Sequence, residues 1–152
     1  ALHRFRPHLV MLHYTKLRPS LQQCYSGYYF HLEPPVLFLG AGIHCFPPKL
    51  LEAYRNSVVD PKFGPALVMS IEELTAKPGY SVGGKHFKKL PRGYYAEGLA
   101  AELLLHNGLY AAYEAEIPDA FYSSAILGYC FEIFKEMTSI HRWLVEMTER
   151  VV

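Results

Sequence analysis

Apolar and polar positions alternate early in the chain and fall into helical spacing later. Tyr28, Phe30 and Leu32 alternate with Tyr29, His31 and Glu33, the period of a half-buried strand. Proline cannot donate to a ladder, so Glu33-Pro34-Pro35 ends that run. Val36-Leu37-Phe38-Leu39 is apolar on both faces and belongs inside a sheet. Together these runs predict an antiparallel hairpin near residues 26–43, closed by a wide Pro-Pro loop. Gly40-Ala41-Gly42 predicts a bend or a close approach of the backbone to a neighbour.

Pro47-Pro48 suits the first turn of a helix, with Leu50, Leu51, Tyr54 and Val58 on its buried face and Lys49, Glu52 and Asn56 outside. Asp60-Pro61 ends it. A short helix is expected over 65–76, with Ala66, Met69 and Leu74 apolar. Residues 77–95 are punctuated by Gly and Pro and read as a surface loop or irregular strand. Glu97 to Asn107 reads as a helix closed by Asn107-Gly108, followed by a short strand over 109–115. Asp119 is placed to cap the strongest helix, whose Ile126, Cys130, Ile133, Phe134 and Met137 share a face. Ile140, Trp143, Leu144 and Met147 mark a last helix. Strands early and helices late predict one α+β domain, an antiparallel sheet packed by several helices.

The 152 residues suffice for one real core, and 51% hydrophobic residues exclude disorder as the main state. A net charge of +1 supplies no global field for nucleic acid or membrane. The distribution is uneven: residues 1–32 carry Arg4, Arg6, Lys16 and Arg18 with no acid. Cys24, Cys45 and Cys130 are odd in number and form no CxxC, so free thiols in a cytoplasmic protein are expected. No apolar run reaches membrane-spanning length, so no membrane partner is expected. In residues 1–24 His, Arg and Pro interrupt every apolar run, apart from a short strand at Leu9–Leu12. That segment is expected to be a divergent or truncated start, with 25–152 forming the domain.

The order Gly27-Tyr28-Tyr29-Phe30-His31-Leu32-Glu33, Gly40-Ala41-Gly42-Ile43 and Pro48-x-x-Leu51-x-x-x-Arg55 is similar to an uncharacterised family. Phe87-Lys88-Lys89-Leu90-Pro91-Arg92-Gly93-Tyr94 and Ile140-His141-Arg142-Trp143-Leu144 extend the likeness. Together they resemble the domain-of-unknown-function family numbered 2461, from about Tyr25 onward. Residues 1–24 do not reproduce the Arg-Asp, Arg-Phe-Ser, Asp-Lys and Pro-Tyr-Lys block that the family carries upstream. The resemblance implies a fold and brings no settled activity, cofactor or metal.

Chemistry points first to the basic Gly-rich loop. Lys85, His86, Lys88, Lys89 and Arg92 sit beside Gly83-Gly84 and Gly93, a composition that presents cations and backbone N–H groups to an anion. Arg55, on the first helix, and Tyr94 join Lys88, Lys89 and Arg92 as the expected ligand-binding set. Their expected partner is a small phosphate-bearing ligand or nucleic-acid phosphate; the plainer account is a solvated loop. Tyr28, Tyr29, Tyr94 and Tyr95 are placed to line a cleft beside that loop and stack a base or sugar, or else to form core and rim.

Other motifs are weaker. Gly40-Ala41-Gly42 lacks the full GxGxxG, and Gly83-Gly84-Lys85 lacks P-loop spacing. His31 and His44 are close enough in sequence to face each other across the hairpin as an acid-base or metal pair, but no ligand spacing supports it, and satisfied or exposed histidines are the favoured account. Cys45 and His44, as neighbours on a strand, would point to opposite faces. Glu114, Glu116 and Asp119 are acidic near a turn, where capping and a solvated strand edge explain them. Two further readings stay open: an enzyme with acid-base residues partly upstream, and a non-catalytic domain that docks a protein partner.

Overall fold

A computed structural model describes residues 25–151. The elements run β1 (Gly27–Glu33), β2 (Val36–Ile43), α1 (Pro48–Val59), α2 (Gly64–Thr75), β3 (Tyr80–Lys85), α3 (Gly98–Leu103), β4 (His106–Glu116), a 3-10 turn (Asp119–Tyr122), α4 (Ala125–Glu136) and α5 (Thr138–Glu149). The strands form an antiparallel sheet in the order β1-β2-β4-β3, and the fold is α+β. Leu9–Leu12, the basic side chains Arg4, Arg6, Lys16 and Arg18, and Cys24 lie outside the described residues.

The predicted hairpin forms, with Gly27 opposite Gly42 and Glu33 opposite Val36. Its loop is tight rather than wide. Only Pro34 and Pro35 separate the paired ends, and the bond between them is cis, the geometry of a type VI turn. Nor do Gly40-Ala41-Gly42 bend the chain; they continue β2, flanked by β1 and β4. A Cβ on Gly42, whose φ is +149°, would meet the Leu109 carbonyl and Tyr110 Cα, so close backbone approach is what the glycine serves. On the same face the Tyr29 ring lies over Gly40 and the Tyr110 ring over Gly83, each glycine directly opposite its tyrosine.

Period-two alternation divides the sheet. Leu37, Leu39, Ala41 and Ile43 of β2, with Leu109 and Ala111 of β4, are buried in the core that the helices cover. Tyr29, His31, Phe38, Tyr110 and Glu114 point to the other face.

Helix α5 lies at the centre of the helical layer through Ile140, Trp143, Leu144 and Met147, as its spacing predicts. Trp143 stacks on Phe63 at 4.6 Å, meets the edge of Tyr54 and donates its indole N–H to the Phe63 carbonyl at 2.9 Å. Tyr54 in turn stacks on Phe46 and donates its hydroxyl to the Leu103 carbonyl at 3.0 Å.

Helix α2 buries Leu67, Ile71 and Leu74, whereas Ala66 and Met69, though apolar, face out. Two predicted segments differ. Asn107-Gly108 does not cap a helix; α3 stops at Leu103 and these residues belong to β4, which is inner and eleven residues long rather than short. Asp119 opens a 3-10 turn instead of capping α4, which begins at Ala125 and buries only Ile133 within its length. Tertiary packing outweighs local cap signals in both places.

Gly42→Ala should lower stability by about 2 kcal/mol or more, because a strained φ and a backbone clash coincide. Gly27→Ala, where a Cβ meets nothing within 4 Å, should change it little. Paired urea titrations check the contrast.

Candidate functional site

The basic loop leaves the sheet at Lys85. His86 and Phe87 both donate their backbone N–H to the Leu105 carbonyl, at 2.9 and 2.8 Å, which fixes where the chain departs. The Phe87 ring then lies under the Arg55 guanidinium, 5.0 Å from its centroid, a cation-π contact with α1. Farther on, Tyr94 donates its backbone N–H to the Pro91 carbonyl at 3.3 Å, with Gly93 at φ +84°. Its hydroxyl donates to Asn56 Oδ1 at 2.8 Å. The loop is thus strapped to α1 at both ends.

Lys88, Lys89 and Arg92 stand exposed between the straps. None forms an ion pair among the described residues, whereas Lys77, Lys85, Lys135 and Arg150 each face a glutamate. Arg55 is half-buried, and its Nε has no hydrogen-bond partner among the described residues. Arg55 and Tyr94 therefore lie where the loop meets α1, while Lys85 is neutralised by Glu102. That hydrogen bond holds the Glu102 carboxyl below its ordinary value. The partners Phe87 and Asn56 were missed in the sequence, since an aromatic and an amide in separate elements carry no spacing signal.

The four tyrosines do not share one cleft. Tyr28 packs against Phe134 and His141 on the helical side; Tyr29 stacks on Phe38 across the sheet; Tyr94 and Tyr95 adjoin α1. Burial and the neighbouring Tyr110 push the Tyr29 phenol well above its usual range.

His31 and His44 are also apart. His31 is opposite Phe38 and within 3.5 Å of Glu33, while His44 lies beyond the end of β2. Six residues of strand separate Phe38 from His44, about 20 Å. Cys45 and His44 occupy an exposed bend instead of a strand. Among the described residues no group of three His, Cys, Asp or Glu is placed to hold a metal ion.

Two other histidines are more buried. Ser26 Oγ and His141 Nδ1 are 2.7 Å apart, joining the start of β1 to α5, with the Tyr28 ring 4.5 Å from the imidazole. Ser26 is buried, and no carboxylate among the described residues lies beside His141, so the pair reads as a tether and not a nucleophile with its base. Burial, then the nearby Arg142, lowers the His141 pKa. His106 is buried near Lys85 and Glu102, and burial is again the largest cause of a lowered pKa.

The model of the family described as "Conserved hypothetical protein (DUF2461)" matches residues 3–143, and the chain belongs to that family. The match begins upstream of Tyr25, so it takes in most of the segment that the sequence motifs left out. No curated protein and no solved structure matches the chain.

A histidine with a lowered folded pKa favours the native state while neutral. Its contribution is fully present above the ordinary value of 6.5 and is lost as pH falls through the lower folded value. Unfolding free energy should therefore drop between about pH 7.5 and about pH 5. His106→Gln and His141→Gln should each flatten that slope, whatever they do to stability at neutral pH. Denaturant titrations across the range measure it.

Proposed function

We propose that this family member is a binding module for phosphate-bearing ligands, with the strapped basic loop as its site. Arg55, Lys88, Lys89 and Arg92 would contact the anion, and Tyr94, whose hydroxyl is engaged by Asn56, would hold the loop in place. The reading rests on one observation: Arg55, Lys88, Lys89 and Arg92 gather around one loop strapped to α1, and none of them has a carboxylate partner among the described residues.

The chemistry suits the residues. An arginine fork offers paired donors to phosphate oxygens, and lysines add compact charge that screens with salt. The Phe87 face orients the Arg55 guanidinium without consuming its donors. Anchoring the loop at Phe87 and Tyr94 lowers the entropy lost on binding. The bound anion belongs to a small ligand or to a nucleic-acid backbone.

An acid-base enzyme finds less support, since His31 and His44 are apart and the Ser26–His141 pair is closed off. The proposed setting is cytoplasmic, a reading favoured by Cys45 and Cys130, which form no disulfide among the described residues. Among the described residues no helix is long and apolar enough to cross a membrane.

Thermal melts with inorganic phosphate at low and high salt check this reading. At a hundredfold excess over Kd, binding contributes about 2.7 kcal/mol, so the melting temperature should rise by several degrees and less so in high salt. Lys88→Ala/Lys89→Ala/Arg92→Ala should melt normally without ligand and lose the shift. An equal shift in that variant, or no shift in the wild type, refutes the loop as the site.

A further inference from the structure

Beyond the basic loop the chain reaches Tyr95, whose ring is 88% exposed. It stands at a groove of about 430 Å³ between α1, α2 and α3, walled by Val59, Pro61, Pro65, Val68 and Met69. Met69 is itself 59% exposed, and a methionine and a tyrosine so open to water gain little from folding. Their exposure calls for another account.

Position supplies one. Along α1, Arg55 meets Phe87, Asn56 meets Tyr94, and Val59 borders the groove that Tyr95 lines. Arg55 and Val59 are one helical turn apart, about 6 Å along the axis. The loop runs beside the helix in the same direction, so the unpaired cations and the apolar groove are consecutive parts of one surface. Val59, one turn on from Arg55, lines the groove together with the Tyr95 ring and the Met69 thioether.

The rim of the groove narrows the chemistry. Asp60 Oδ1 already accepts the backbone N–H groups of Lys62 and Phe63, at 2.8 and 2.7 Å. Glu97 lines the same groove and accepts no hydrogen bond from a described residue. A flat group carrying N–H donors matches a tyrosine face with a free carboxylate beside it, whereas an acyl chain leaves Glu97 unused.

We propose that the phosphate-bearing ligand of this chain is a nucleotide, its base stacked on Tyr95 in the groove and donating an N–H to Glu97, its phosphate at Arg55 and the basic loop. The assignment rests on the anion-site reading above and goes beyond it in naming the ligand class. The volume is in the range of small-molecule sites and too small for a folded partner.

Calorimetric titration of the full chain tests it with inorganic phosphate, butyl phosphate and adenosine monophosphate. Adenosine monophosphate should bind about tenfold or more tightly than inorganic phosphate. Tyr95→Ala should remove that gain and leave inorganic phosphate unchanged, and Tyr95→Phe should keep it; so exposed a side chain is replaced without endangering the fold. Equal affinity for the nucleotide and inorganic phosphate overturns the base site alone and leaves the anion site standing. Butyl phosphate matching the nucleotide, or an inert Tyr95→Ala, also overturns it. Failure of every phosphate to bind removes both readings together.

Discussion

The Tyr54 hydroxyl donates to the Leu103 carbonyl while its ring touches Phe46 on one side and Trp143 on another, so one side chain joins α1, α3, α5 and the segment after β2. Burial is complete, and the phenol is pushed far above its usual range because no solvent reaches it. A buried hydroxyl needs its acceptor, and here the acceptor is a carbonyl at the end of a short helix. That bond sets the distance between α1 and α3. Trp143 repeats the arrangement with the Phe63 carbonyl, and the Arg150 guanidinium lies over the Phe63 ring at 3.7 Å. The helical layer is thus registered by aromatic groups that each carry one directional bond.

The candidate site depends on this framework at one remove. Helix α1 buries Leu50, Tyr54 and Val58 and thereby presents Arg55, Asn56 and Val59 on its other side. Arg55 and Asn56 hold the loop, and Val59 borders the groove. The inward face of Leu50, Tyr54 and Val58 therefore fixes the direction in which three outward residues point. Preorganisation of this kind comes from the core and requires no rigid loop sequence.

Much of the fold was legible because its signals were periodic. The alternation of β1 marks its two faces, the proline marks the start of α1, and the spacing of Ile140, Trp143, Leu144 and Met147 reports burial directly. What misled were the punctuating residues. Asn107-Gly108 has the composition of a helix cap, yet it opens β4, where Gly108 is buried against the His44 carbonyl and only a residue without a side chain fits. Asp119 has the composition of a cap and serves a 3-10 turn. The lysines and Arg92 stood out as a composition, and Arg55 entered through its family motif. Phe87 also opened a family motif, but neither it nor Asn56 announced its partner, because what makes them matter is a contact between separate elements.

The tyrosines that lie over Gly40 and Gly83 have a consequence for how the sheet finds its alignment. Each ring occupies a vacancy left by the missing Cβ directly across the ladder. A slip of two residues keeps every side chain on its proper face, so alternation alone does not penalise it. It does, however, carry Tyr29 off Gly40 and onto Phe38, or onto Gly42, whose space the Leu109 carbonyl and Tyr110 Cα already fill, and Tyr110 off Gly83. Vacancy and ring act as a vernier: they distinguish between alignments that hydrophobic patterning treats as equal. The pairs also bind the two positions into one heritable unit, in which the glycine can enlarge only if the tyrosine shrinks with it.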